Sequence, residues 1–316
     1  RSLNRTRLPD LTKYLLENSE NYVFSAITAS VDGPMKFEPF GDGEATRDLG
    51  KLHVPMSARF LINDGQHRRG AIEEALKARP ELGDESIAVV FFEDRGLKRA
   101  QQMFTDLNQH AVRPSRSLGL LYDHRSERAW LAKEVAQRAE IFRGRVELEK
   151  STLGRRSAKM FTLSAIETAT TILLSEMKDV PLEQRATLGA RFWDTAAKHI
   201  PEWRQVRDQE LSGGEFRREY ISAHGIALSA LAHAGKALLA DQPENWFDRL
   251  KGLDGLDWSR ANDLWEGRAM RGGRISKSHT NVRLTTAVLK RRLNLPLSPD
   301  EVDTEKEADL HVAEVA

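Results

Sequence analysis

Asp64, Gly65, Gln66, His67 and Arg68 place a carboxylate, a glycine, an amide, an imidazole and a guanidinium in five consecutive positions. They stand between an apolar run, "MSARFLI" (56–62), and "RRGAIEEALKARPE" (68–81), whose apolar residues recur at helical spacing. The context is therefore strand, tight turn, helix. Such a turn aims the unpaired N–H groups of a helix's first turn outward, where their partial positive charge favours an anion. Gly65 allows close approach and φ > 0. Arg68 offers a planar fork that matches phosphate oxygens, and His67 can donate or accept a proton near neutral pH. Asp64 could cap the helix or hold a metal ion that accompanies a phosphate. The plainer alternative is also open, because Asp-Gly is among the commonest turn sequences.

A second stretch, "MFTDLNQHAVRP" (103–114), reads as a helix. Phe104 and Leu107 share a face, which most simply means core packing, while Asp106, Asn108, His110 and Arg113 gather polar groups near the helix end. For hydrolysis of a bound phosphate ester, Asp64 or Asp106 could position Mg²⁺ or a water, and His67 could shuttle a proton. A glycine-rich Walker loop is absent, so any such hydrolysis is outside the P-loop class and is expected to be slow.

The elements that must position these residues change in kind along the 316-residue chain. Up to residue 96, strand-like runs ("NYVFSAITASV", "MKFEPF", "KLHV", "SARFLIN") alternate with helical ones, and "SIAVVFFE" (86–93) has the form of a buried strand. Beyond Gly96 the spacing is helical almost to the end, with Pro114, Pro181, Pro201 and Gly213-Gly214 marking helix ends. The fold class is α+β: an α/β domain over residues 1–112, then an α-helical domain over 113–316. A hydrophobic fraction of 40% with 30% charged residues is globular, and no apolar stretch approaches the ~20 residues that span a bilayer. No secretory signal pattern is present, so a cytoplasmic protein without membrane contact is expected. With no cysteine, disulfides, thiolate zinc sites, iron–sulfur clusters and persulfide chemistry are excluded.

"DGQHR" followed by "FTDLNQHAVRP" resembles the DGQHR-domain family of DNA sulfur-modification (phosphorothioation) proteins. Stretches at 3–33, 149–169 ("EKSTLGRRSAKMFTLSAIETA") and 257–286 ("DWSRANDLWEGRAMRGGRISKSHTNVRLTT") extend the resemblance over nearly the whole chain. The resemblance implies a ParB/sulfiredoxin-like N-terminal domain. In it Asp64, Gly65, Gln66, His67 and Arg68 contact the triphosphate of ATP, with Asp106 and Asn108 nearby. It further implies a regulator that binds double-stranded promoter DNA of the modification genes, represses them and responds to ATP, in company with other components of the machinery. Two other classes compete: an NTP-dependent nuclease or nickase, for which no HNH or PD-(D/E)xK arrangement is present, and a non-enzymatic scaffold of the modification complex.

The formal net charge of +1 conceals segregated charge. Residues 267–293 carry eight Lys/Arg and no acid, residues 300–316 carry seven acids and one lysine, and residues 138–159 carry seven Lys/Arg against three Glu. Basic segments with small hydroxyl donors suit phosphate oxygens. The expected DNA contacts are therefore Lys150, Arg155, Arg156 and Lys159 in one segment, and Arg268, Arg271, Arg274, Lys277 and Asn281 in the other, helped by Ser276, Ser278 and Thr280. A symmetric operator would favour a homo-oligomer, although no heptad stripe stands out.

Overall fold

The computed structural model describes residues 6, 8–94, 96–109, 114–241 and 244–315. The chain divides into two compact units, Arg1–Arg113 and Pro114–Ala316.

In the first unit α1 (Leu8–Glu17) packs on α2 (Gln66–Ala78) around Leu15, Ala71 and Ala75, with Leu11, Leu16, Phe24 and Ile72 closing the cluster. The sheet has the order β4-β1-β5, where β1 (Ile27–Asp32) runs antiparallel to β4 (Arg59–Asp64) and parallel to β5 (Val89–Glu93). A separate hairpin pairs β2 (Lys36–Pro39) with β3 (Gly50–His53), and α3 (Leu97–Gln109) follows β5. Only the central strand has the burial its apolar residues suggest: five of the six residues of β1 are buried. The run "SIAVVFFE", expected as a buried strand, is instead an edge strand with every residue of β5 exposed, Phe91 and Phe92 at 36% and 37%. A short apolar run has no periodicity to tell a buried strand from a sheet edge.

The second unit is helical. It comprises α4 (Arg116–Tyr122), α5 (Glu127–Arg138), α6 (Leu163–Leu173), α7 (Leu182–Lys198), α8 (Pro201–Arg207), α9 (Gly213–Glu219), α10 (Gly225–Asp241), α11 (Trp246–Arg249), α12 (His279–Arg292) and α13 (Pro299–Val315). Two residue pairs, β6 (Val146–Glu147) with β7 (Phe161–Thr162) and β8 (Met270–Arg271) with β9 (Arg274–Ile275), are its only ladders among the described residues. The helix α10 is apolar on nearly all sides and is the central element, packed between α6 and α12. Around it Phe142, Phe161, Trp193 and Trp203 form an aromatic cluster with ring centroids 5.4–6.2 Å apart. The helical spacing of this unit is interrupted at two further places. Ser126 caps α5 after Asp123 ends α4, and a 3-10 turn over Ile221–Ala223 separates α9 from α10.

Glu202, in the first turn of α8, is buried inside this unit, where the Ser222 hydroxyl donates to it at 2.5 Å. Burial raises its pKa, the hydrogen bond from Ser222 opposing. A raised folded-state pKa means that the stabilising contribution is present below the ordinary carboxylate range and is lost as pH rises through it toward the raised value. Glu202→Gln is therefore expected to raise the Tm at pH 7 and to raise it less, or lower it, at pH 4. Equal shifts at both pH values in thermal melts would contradict this assignment.

The basic segment 267–293 and the acidic tail, separate in sequence, meet in the fold. Lys290 pairs with Glu301 at 2.7 Å with both side chains about nine-tenths buried. Glu305 takes Arg268 at 2.9 Å and also Arg291, and Arg283 reaches Asp300 at 3.2 Å. Breaking a buried pair such as Lys290–Glu301 from one side costs about 3–5 kcal/mol, so α13 is firmly held on α12.

Candidate nucleotide and nucleic-acid sites

The DGQHR residues form the turn from β4 into α2. A bulge where β4 passes Thr28 and Ala29 leaves Asn63 unpaired in the ladder, and its amide turns inward to donate to Ser30 Oγ at 2.7 Å. Gly65 occupies the N-cap position of α2 with φ 104°, a left-handed conformation that penalises any side chain. A Cβ there would also stand 3.1 Å from both Arg68 Nη2 and Ile27 Cγ1. Gln66 folds back to donate to the Ile62 carbonyl at 2.7 Å, and Arg68 donates to Asp64 at 2.7 Å and to the Ala26 carbonyl at 3.1 Å. Asp64 thus braces Arg68 and does not cap the helix, whose first turn has no side-chain cap. His67 is half-buried on that first turn.

Arg68 also lines a cavity of about 360 Å³ with Ser19, Tyr22, Ser25, Ile72, Glu85 and Ser86. Its Nε–H is buried and has no partner among the described residues. The Tyr22 hydroxyl donates to Glu85, which together with burial raises the Tyr22 pKa. Uncapped helix amides and an unsatisfied guanidinium N–H are the donors an anionic group would use. Asp106 lies exposed on α3 and accepts from Gln102 at 2.6 Å; no hydrogen bond or ion pair joins it to the DGQHR turn among the described residues. The Asn108 side chain, His110 and Arg113 fall outside the described residues. Likewise, among those residues no three His, Asp or Glu side chains are grouped to hold a metal ion.

The helical unit contains a groove of about 680 Å³ whose cations are Arg143, Arg145, Arg155, Arg156 and Lys159, with no acid in its lining. Gly144, at φ 73°, turns the chain between the first two. Arg217 holds the opposite wall. Its guanidinium donates to the carbonyls of Lys159 and Ser157 at 2.7 Å, Gly154 at 3.0 Å and Arg155 at 3.3 Å. Burial lowers its pKa, and the charge persists because a guanidinium starts so high. Gly213 and Gly214 let this loop approach, since a Cβ on either would meet the Ser157 or Arg155 carbonyl oxygen at 2.6 or 2.7 Å. The side chains of Arg155 and Arg156 are exposed and have no partner among the described residues. Lys150 is exposed but does not line the groove.

The second predicted DNA segment is largely committed elsewhere. Asn281 is 7% exposed, accepts from Ser276 and Ser278, and donates to the Arg268 carbonyl, so its side chain is engaged within the start of α12. Arg268 is held by Glu305. Lys277 has its pKa lowered by burial and then by Arg116. The Arg271-Gly-Gly-Arg274 turn has φ 56° and 69° at its two glycines, the conformation of a tight hairpin. Its two glycine N–H groups, which could have cradled a phosphate, donate to Glu266, one residue before the acid-free stretch begins. Arg271 and Arg274 face each other across the ladder, exposed and without side-chain partners among the described residues. Sequence reasoning missed Arg143, Arg145 and Arg217; the Arg-Gly-Arg at 143–145 was a signal for the first two, whereas Arg217 acts only through a tertiary contact.

What the fold and the groove define is a mixed α+β protein, mostly helical, whose helical unit presents a concentrated positive surface. The chain belongs to the DndB family, described as DNA-sulfur modification-associated, whose match covers residues 1–296. No curated protein and no solved structure matches it. Among the described residues no helix is long and apolar enough to cross a membrane.

Proposed function

We propose that this protein is a DNA-binding regulator of the phosphorothioate modification genes, a repressor whose hold on promoter DNA is modulated by ATP at the DGQHR turn. The observation that carries the reading is the acid-free groove with Arg155 and Arg156 unengaged at its edge, the composition that neutralises backbone phosphates. ATP and its Mg²⁺ would use the uncapped amides of α2 and Arg68, in a unit expected to be ParB/sulfiredoxin-like, and turnover, if any, is slow. The test measures ATP binding and promoter binding, with and without ATP, for wild type and Arg68→Ala. Loss of nucleotide affinity and of the ATP effect on DNA, with basal DNA affinity retained, is the expected result. Unchanged nucleotide affinity would defeat the assignment. Because Arg68→Ala also strips Asp64 and the Ala26 carbonyl of a donor, at about 1–3 kcal/mol, thermal melts accompany the titrations.

A second reading, an accessory scaffold of the modification machinery, has one observation in its favour. The first unit exposes Phe60, Val90, Phe91 and Phe92 on its sheet, the type of surface a protein partner covers. DNA binding indifferent to ATP would favour it. The nuclease alternative has no comparable support.

A further inference from the structure

The groove is positive, yet three of its five cations are already partly committed within the protein. Arg143 donates to the Gln137 and Arg138 carbonyls, Arg145 to those of Arg143 and Arg207, and Lys159 to that of Gly144. The same lining includes the apolar side chains of Ala158, Val206 and Leu211. A site for an ordinary phosphate gains from free donors that replace the water around hard oxygens. A positive field over apolar walls suits a soft, weakly hydrated anion instead, because field strength is retained while the cost of stripping water from the ligand falls.

In a family associated with DNA sulfur modification, the backbone anion of that kind is the phosphorothioate diester. It keeps the single negative charge, and its sulfur is larger, more polarisable and a poorer hydrogen-bond acceptor than oxygen, so it gains from dispersion contact with apolar atoms. We infer that this groove discriminates phosphorothioate from phosphate linkages in duplex DNA, with Arg155 and Arg156 supplying charge and Leu211 and Ala158 supplying the contact to sulfur. The inference rests on the groove being the DNA-contacting surface.

The test titrates the full-length chain with three duplexes of one sequence: unmodified, and carrying a single central phosphorothioate in the Rp or the Sp configuration. Wild type is expected to bind one epimer about five-fold more tightly than the unmodified duplex, which is about 1 kcal/mol. Leu211→Asn is expected to erase that advantage, so that the three duplexes bind alike. Ala158→Asn, at an exposed position that cannot unfold the core, provides the same comparison should Leu211→Asn melt early. Arg155→Ala/Arg156→Ala should weaken all three duplexes alike. Equal wild-type affinity for the three, or an advantage that survives both asparagine variants, overturns the sulfur preference and leaves the groove as a DNA site. If none of the duplexes binds, or the double arginine variant binds as wild type does, the DNA reading of the groove fails and the preference fails with it.

Discussion

Replacing Arg155 and Arg156 together by alanine is expected to weaken binding to duplex DNA by about 10- to 100-fold near physiological salt, for two lost phosphate contacts of ~1 kcal/mol or somewhat more each. The same change should reduce the slope of log affinity against log salt by about 2. Both effects follow from geometry: the two side chains are exposed, without partners among the described residues, and set in a groove with no acid in its lining. Stability should change by no more than ~0.5 kcal/mol, as for other surface positions. A filter-binding or fluorescence titration from 50 to 300 mM salt reads the slope. An unchanged slope, with a reduced one in Arg271→Ala/Arg274→Ala, would transfer the phosphate contacts to the hairpin.

Arg217→Met should do more damage from a greater depth. Methionine keeps the length and apolar stem but removes the donors that hold the Gly154, Arg155, Ser157 and Lys159 carbonyls. At about 1 kcal/mol per lost bond, with relaxation recovering part, the cost is ~2–4 kcal/mol. The loop that carries three of the five groove cations would then lose its anchor. DNA affinity is expected to fall at least as far as in the Arg155/Arg156 double variant, and trypsin to cleave at 155–159 faster than in wild type. Wild-type DNA affinity together with wild-type protease resistance would disprove the bracing role. His224, which directly precedes α10, donates from Nε2–H to the Arg217 carbonyl at 3.0 Å and ties the same region to that helix; burial lowers its pKa.

The local geometry around DGQHR was legible because it is written in neighbouring residues: an apolar run, an Asp-Gly turn and a helical repeat. The left-handed conformation of Gly65 and the entry into α2 follow from that string. The partnership of Asp64 with Arg68 also has helical i,i+4 spacing, but the residue types alone left capping and metal binding equally open. Charge counts misled where long-range pairing decides. The acid-free window at 267–293 ended one position short of Glu266, and it could not register that Glu301 and Glu305 return to Lys290, Arg268 and Arg291. The groove was half-visible, since Arg155, Arg156 and Lys159 are close in sequence, whereas Arg143 and Arg145 reach them only through the tertiary fold. The exposed β5 was hidden for the opposite reason: its composition argues for burial, and only the strand order places it at an edge.

The packing of α13 on α12 means that the richest cationic stretch of the chain comes with a tethered competitor for any polyanion. Carboxylates attached to the same chain act at an effective concentration of about millimolar or above, so a duplex approaching Arg268, Lys290 or Arg291 must displace a rival that never diffuses away. The family match ends at residue 296, before this helix begins. Residues 297–316 take seven acids and one lysine with them, so deleting them changes the formal net charge from +1 to +7. Affinity for DNA of any sequence would then be governed by an unmasked α12, and the selectivity of the groove would be submerged beneath it.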